Sequence, residues 1–376
     1  MIPPPDAALV ARFRDDVYQM LGAPLLLRHS PTFVRHPSES WGLSSQAPCP
    51  VEGDPSFRWG DDLGEGDLAG GYPERSGDDA AQVALAVSGG PDSLALLLLA
   101  HAAFPGRVTA ATVDHRIRPE AAAEAAAVAA ICAMLGVPHA VLPVTVARAA
   151  SIQAAARGAR YAALEGWAVA AGAGALFTAH HLDDQAETIL MRVARGAGIA
   201  GLAGIRPIRP LGRVTLARPL LGWRKDELVT IVAAAGLVPV DDPANRDPRF
   251  DRARARRLLA AEPWLAPARL ATFAPLAGQA DAALDWATAQ AAAVRLGTDG
   301  DGGVHLDGAG VPREIARRLL LRAILLADPD ARPPRGPALD RLLTALEAGK
   351  VATLGRLRFA PGPPWRIRRT RPHRSN

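Results

Sequence analysis

Lysine is almost absent: among 43 basic residues only Lys225 and Lys350 are lysine, and the others are arginine. Cysteine is as scarce. Cys49 and Cys132 cannot build a disulfide framework, a four-cysteine zinc site or an iron–sulfur cluster. A reducing, intracellular setting fits that usage. No apolar run reaches the roughly 18 residues of a membrane-spanning helix. The opening residues, MIPPPDAALVARFRDDV, lack the basic-then-apolar pattern of a signal peptide. A cytoplasmic location is therefore expected. No repeat of solenoid length is present. No Walker A loop, G-x-x-x-x-G-K followed by Ser or Thr, occurs, and the glycine-rich turn after the first expected strand is not a dinucleotide fingerprint, G-x-G-x-x-G.

What is there is a 376-residue chain, 49% hydrophobic, with a formal net charge of +5. That length suits two domains, or one domain with accessory segments. The arginine excess has two readings: a codon bias, or a polyanionic partner whose phosphates match the guanidinium fork.

Apolar spacing predicts a short helix over roughly 6–21. Residues 28–80 hold no period and are dominated by Pro, Gly, Ser and Asp, which reads as a disordered insert within an N-terminal extension, 1–80. From residue 81 strands and helices alternate. Strands are expected at 83–87, 107–113, 139–144 and 175–178, and a short one at 237–240. Helices are expected at 93–103, 120–135, 153–171, 186–195 and 225–235. Such alternation indicates an α/β domain with a parallel sheet, placed at 81–262. Residues 263–376 read as a helical region with a basic tail, whose arginines between 356 and 374 face no acid in sequence.

The first strand runs into Ser88-Gly89-Gly90-Pro91-Asp92-Ser93, and a helix follows. Glycines let the backbone approach an anion, and the helix start supplies free N–H groups and positive dipole. Ser88 and Ser93 add hydroxyl donors. Asp92 suits an anion cradle only if a divalent cation shares it, which makes it a candidate magnesium ligand. Further along stand Thr112-Val113-Asp114-His115, Ser151-Ile152-Gln153 leading to Arg157, Arg160 and Tyr161, then Thr178-Ala179-His180-His181-Leu182-Asp183-Asp184-Gln185-Ala186-Glu187, Arg218-Pro219-Leu220-Leu221 and Asp241-Asp242-Pro243-Ala244-Asn245. Asp184 and Glu187, at i and i+3, share one helical face, where a carboxylate pair can hold ammonium groups and activate an amine. Asp183 reads as a helix cap or a metal ligand. Arg157 and Arg160, also at i and i+3, can neutralise a phosphate. His115 follows a strand end, where ligands of open α/β sheets collect. His180 and His181 lack a third ligand at zinc spacing and read as structural or nucleotide-adjacent. The Arg252, Arg254, Arg256 and Arg257 cluster reads as a phosphate-backbone contact or a solvated helix face.

The SGG-x-D-S loop resembles that of the N-type ATP pyrophosphatases, or PP-loop family. The later blocks, in this order over roughly 81–262, resemble tRNA(Ile)-lysidine synthase. Ala253 and Arg116 depart from the usual pattern of that family. The resemblance implies an adenine nucleotide alpha hydrolase-like α/β domain followed by a smaller, mostly helical domain. It implies ATP and Mg²⁺, with the phosphates held by Ser88, Gly89, Gly90, Pro91, Asp92 and Ser93, His115 beside the nucleotide, and Asp92, Asp184, Glu187, Arg157 and Arg160 in catalysis. The reaction it implies is adenylation of C2 of the wobble cytidine of a CAU-anticodon tRNA(Ile), then attack by free L-lysine, releasing AMP and pyrophosphate. It also allows a homodimer. A cytidine thiolase of the same group would need paired cysteines, which this chain lacks. An inactive RNA- or nucleotide-binding relative would not need the intact loop with Asp184 and Glu187.

Overall fold

The structure is a computed structural model that describes residues 2–22, 82–114, 121–144, 152–240, 251–300, 302–334 and 336–370. His115, the insert at 28–80 and the Asp241–Asn245 turn lie outside the described residues. The chain divides into two compact units at residues 276 and 277.

The first unit opens with α1 (Ala7–Leu21), whose N-cap Asp6 accepts from the backbone N–H of Ala8. Its apolar face buries Val10, Phe13 and Val17. The central sheet is built from β1 (Gln82–Ala86), β2 (Val108–Asp114), β3 (His139–Pro143), β4 (Ala173–Phe177), β5 (Ile208–Leu211) and β6 (Val214–Ala217). Their order is β3-β2-β1-β4-β6-β5, with β5 antiparallel to β6 and the other neighbours parallel. The connecting helices are α2 (Pro91–Ala103), α3 (Ala121–Leu135), α4 (Ile152–Ala170), α5 (Leu182–Ala194), α6 (Ile199–Leu202), α7 (Lys225–Ala234) and α8 (Asp251–Ala261). Strand order turns from one direction to the other at β1, so the β1–α2 and β4–α5 connections open side by side at the carboxyl ends of the strands. Ligands of open α/β sheets bind there.

Burial explains why the strands read as apolar runs. Val83, Ala84 and Leu85 are buried on both faces, as is α2 from Leu94 to Ala100. The N-terminal helix belongs to this core. Phe13 meets Phe104 edge-on at 6.4 Å, and Trp223 Nε1 donates to Asp16 at 2.8 Å. Cys132 is also core, and burial pushes its thiol up to about 11. A thiol so held is not a sulfur-handling group.

Two expectations change here. Leu237–Val240 forms no strand. Instead the Val240 N–H donates to the Gly89 carbonyl at 2.9 Å, and its side chain covers the loop. The β5–β6 hairpin was not expected, because Pro207 and Pro210 interrupt its strand pattern. An edge position tolerates Pro210, since no further strand needs its missing N–H.

The second unit contains most of α9 (Pro267–Arg295), then α10 (Arg313–Ala327) and α11 (Gly336–Glu347). It is mostly helical, as expected, but it also holds a sheet that sequence reading missed. β7 (Leu296–Thr298), β8 (Val304–Leu306), β9 (Ala352–Leu354), β10 (Leu357–Ala360) and β11 (Trp365–Arg369) form an antiparallel sheet of order β7-β8-β11-β10-β9. Leu357, Phe359, Trp365 and Ile367 turn inward onto Leu319, Leu320 and Leu343. Arg358, Arg366 and Arg368 alternate with them and stay exposed, with Arg358 directly opposite Arg368. Part of the basic tail is thus the outward face of a sheet. Arg318 ties two helices together through Asp281 at 2.8 Å, Asp285 at 2.5 Å and Glu314 at 2.9 Å.

Candidate active site

The loop after β1 is shaped by its glycines unequally. Gly89 sits at φ +86°, and a Cβ there would meet Val240 Cγ2 at 2.9 Å and Val128 Cγ2 at 3.1 Å. Gly90 has ordinary extended backbone as the N-cap of α2, and a Cβ there would meet only Ser88 Oγ at 3.8 Å. Pro91 follows at N1, where its missing N–H costs nothing. Ser93 is buried and serves the loop itself: its hydroxyl donates to the Gly90 carbonyl at 2.9 Å and accepts from the Ser88 N–H at 3.1 Å. Ser88 is exposed at the loop's outer side.

Gly89→Ala is expected to lose both fold stability, by roughly 1–3 kcal/mol of backbone strain, and nucleotide binding. Gly90→Ala is expected to stay within about 0.5 kcal/mol of the parent in thermal unfolding, yet to weaken nucleotide binding by narrowing the phosphate approach. Melting curves and nucleotide titrations of the two variants separate these roles.

Asp92 stands on the first turn of α2. One of its oxygens faces His181 Nε2 at 3.6 Å and Lys225 Nζ at 3.8 Å. The other, Oδ1, is buried without a hydrogen-bond partner. Burial works to raise its pKa, but the nearby His181, with Lys225 and Arg256, outweighs burial and holds it below the usual carboxylate range.

His181 is the residue that sequence reading undervalued. It is buried between β4 and α5 and sits 3.6 Å from Asp92, 3.6 Å from Asp183 and 3.5 Å from Asp184. Burial alone would lower its pKa. The neighbouring carboxylates of Asp183, Asp92 and Asp184 reverse that and raise it to about 9. The imidazolium is the common counter-ion of the site. Its signal in the sequence was a histidine followed, after one leucine, by two acids just past a strand end.

Asp183 caps a helix, but not its own. It accepts from the backbone N–H of Lys225 at 2.9 Å, at the start of α7. Burial opposes ionisation there, yet the nearby His181 cation and the Lys225 N–H bring its pKa down to about 2. The N-cap of α5 is His181, whose N–H donates to Asp184 Oδ2 at 3.2 Å.

Asp184 and Glu187 do share one face of α5, and that face is occupied. Arg252 donates to Asp184 at 2.6 Å and to Glu187 at 2.7 Å, and Arg256 donates to the other Glu187 oxygen at 2.7 Å. Glu187 is 2% exposed. The arginine cluster on α8 therefore splits. Arg252 and Arg256, one turn apart, face the carboxylates, whereas Arg254 points outward beside Asp251 at 3.6 Å. Ala253 and Ala255 bury the opposite side.

Arg157 and Arg160 lie on α4 around the buried ring of Tyr161. They do not touch Asp184 or Glu187. His180 lies between the two groups. Thr178 Oγ1 contacts its Nδ1 at 3.0 Å, and burial, then the charges of Arg218, Arg252, Arg157 and Arg160, push its pKa well below that of free histidine. Among the described residues, no group of three or more His, Cys, Asp or Glu side chains is placed to hold a metal ion by itself. A Mg²⁺ site of one carboxylate completed by phosphates and water needs no such group, and the unpartnered Asp92 oxygen fits it.

Comparison with known proteins follows the same line. Residues 71–262 match the PP-loop domain family. The chain is 46% identical over 303 residues to the tRNA(Ile)-lysidine synthase of Novosphingobium aromaticivorans, covering 80% of this chain and 92% of that relative. It is 46% identical over 301 residues to the tRNA(Ile)-lysidine synthase of Zymomonas mobilis, covering 78% and 90%. Among solved structures, U34-tRNA thiolase NcsA from Methanococcus maripaludis aligns with a TM-score of 0.50 at 14% identity, over 72% of this chain and 78% of that one. At that identity the likeness shows the fold alone.

Proposed function

The chain belongs to the tRNA(Ile)-lysidine synthases, ATP-using ligases that form a carbon–nitrogen bond, and on that premise we propose how its residues divide the work. The PP-loop from Ser88 to Ser93 takes the pyrophosphate portion of ATP, with backbone N–H groups at the start of α2 as donors. Asp92, through its unpartnered Oδ1, would hold Mg²⁺, which supplies charge neutralisation for the triphosphate when bound. The C2 oxygen of the wobble cytidine of the CAU-anticodon tRNA(Ile) attacks the α-phosphorus, and pyrophosphate leaves. Arg157 and Arg160 neutralise the α-phosphate. An amine of free L-lysine then attacks C2, and AMP leaves with the bond electrons.

Asp184 and Glu187 hold the lysine and draw off the proton of its attacking amine. The observation that carries this is their present company. Each already accepts charge-assisted hydrogen bonds from cationic nitrogen at 2.6–2.7 Å. A face that accepts from guanidinium groups has the charge and acceptor oxygens that an ammonium group requires. Lysine binding then requires Arg252 to give way or to share Asp184.

The location proposed is the cytoplasm, where free lysine, ATP and tRNA meet. No described helix is long and apolar enough to cross a membrane. The experiment is AMP formation by purified protein with CAU-anticodon tRNA(Ile), with and without lysine, and with Mg²⁺ chelated. AMP release is expected to require RNA, lysine and Mg²⁺ together. AMP release indifferent to lysine would assign the activated cytidine to another acceptor.

A further inference from the structure

A second charged cluster lies beside the carboxylate face, and it carries cations instead of acids. Tyr161 on α4 is 2% exposed, and three guanidinium groups surround its ring. Arg209 lies 4.9 Å from the ring centroid, Arg157 5.2 Å and Arg160 5.3 Å. Arg218, the first residue after β6, completes the group. It is 4% exposed, feels the charge of Tyr161 and donates Nη1 to the Arg206 carbonyl. Its Nε is buried with no partner.

Cation–π attraction to one ring does not neutralise four guanidinium groups. No carboxylate among the described residues bonds to Arg157, Arg160 or Arg218. Burying a cation without a counter-ion is unfavourable, and here it is done beside three others. Burial and the neighbouring arginines lower the pKa of Arg218, and the four arginines pull the Tyr161 hydroxyl below that of free tyrosine against the effect of burial. His180, beside the cluster, is held neutral. The charge on Arg157, Arg160 and Arg218 is therefore concentrated, and no carboxylate bonds to it among the described residues.

Its place in the fold is informative. Arg218 follows the carboxyl end of β6, Arg209 sits on the hairpin strand paired with it, and Arg157 and Arg160 lie toward the amino end of α4. All face the ligand-binding edge of the sheet. His180 feels Arg218, Arg157 and Arg160 as well as Arg252, so the cluster adjoins the Asp184–Glu187 face.

We propose that Arg157, Arg160, Arg209 and Arg218, gathered on Tyr161, form one seat for a phosphate group, with the buried Arg218 as its anchor. The α4 pair alone would be two flexible surface cations. The hairpin adds two fixed ones, and together they enclose an anion. The seat deepens the adenylation reading and rests on it only for the phosphate's identity. Either the α-phosphate of the nucleotide or a backbone phosphate beside the wobble cytidine has the required chemistry.

The test uses the full chain with Arg157→Gln, Arg218→Gln and Arg218→Lys. Binding is measured for a non-hydrolysable ATP analogue, for CAU-anticodon tRNA(Ile) and for inorganic phosphate. The two Gln variants are expected to weaken the same ligand about tenfold or more, and Arg218→Lys to recover part of the loss. Loss confined to the ATP analogue identifies the nucleotide phosphate. Loss confined to RNA, with the salt dependence reduced by about one charge, identifies a backbone phosphate. Should Arg218→Gln fail to fold by circular dichroism, Arg209→Gln replaces it with the same readout. Folded variants that bind all three ligands within twofold of the parent overturn the seat, as do Arg157 and hairpin variants that weaken different ligands. A parent that binds phosphate through Arg218 but makes no lysidine overturns the functional reading and leaves the seat standing.

Discussion

Glu187→Gln is expected to slow lysidine formation by about a thousandfold, while pyrophosphate release in the adenylation step stays within about fivefold of the parent. The substitution keeps the side chain's size and its place on α5, and it removes the negative charge. Two effects follow. The attacking amine loses the carboxylate that binds its ammonium form and takes its proton. Arg252 and Arg256 lose a shared acceptor that holds each of them at 2.7 Å. Only the first effect belongs to the second half-reaction. Glu187 touches neither the PP-loop nor Asp92, so adenylation should proceed and the adenylated RNA should accumulate. Rapid-quench separation of adenylated RNA, AMP and pyrophosphate reads both halves in one experiment. Equal loss in both halves would mean that Glu187 serves only to anchor α8.

His181→Asn should be the most damaging single change in the site. The imidazolium lies within 3.6 Å of Asp92, Asp183 and Asp184. Asparagine leaves three carboxylates facing one another around a neutral group. Removing one partner of a buried ionic cluster costs on the order of 3–5 kcal/mol. In a unit of this size that corresponds to roughly 10 °C in thermal unfolding. Nucleotide binding should fall as well, because Asp92 loses its nearest cation. Adding Asp183→Asn to His181→Asn should restore part of the stability by removing one of the repelling charges. A double-mutant cycle of unfolding free energies measures that coupling. Simple additivity of the two changes would show that His181 does not act as a counter-ion.

The parts of the molecule that were legible share one physical trait: their chemistry is local. Strands β1, β2 and β4 are largely buried and appear as short apolar runs. The PP-loop is legible because its backbone needs glycine at Gly89 and a helix start at Gly90 and Pro91. Asp184 and Glu187 are legible because helical spacing alone puts them on one face. What stayed hidden depends on partners distant in sequence. Arg252 and Arg256 offered a one-turn spacing complementary to that of Asp184 and Glu187, but nothing local joins α8 to α5. His181 looks like any histidine until the sheet brings Asp92 to it from β1–α2. Asp183 reads from the sequence as a cap of its own helix or a metal ligand, and it is the start of α7 that takes it. In the second unit the alternation Leu357-Arg358-Phe359 and Trp365-Arg366-Ile367-Arg368 has a strand's period. Arginine at every outward position made it read as a basic tail.

The carboxylate face of α5 as the lysine seat is the central claim, and one measurement tests it most directly. Labelled lysine is supplied to the parent and to Asp184→Ala with ATP and CAU-anticodon tRNA(Ile), and the RNA is digested to nucleosides. The parent should yield a nucleoside with the mass of cytidine plus lysine less water, in step with AMP release, and Asp184→Ala should yield none while still releasing pyrophosphate. Lysine incorporation by Asp184→Ala at the parent's rate would contradict the claim.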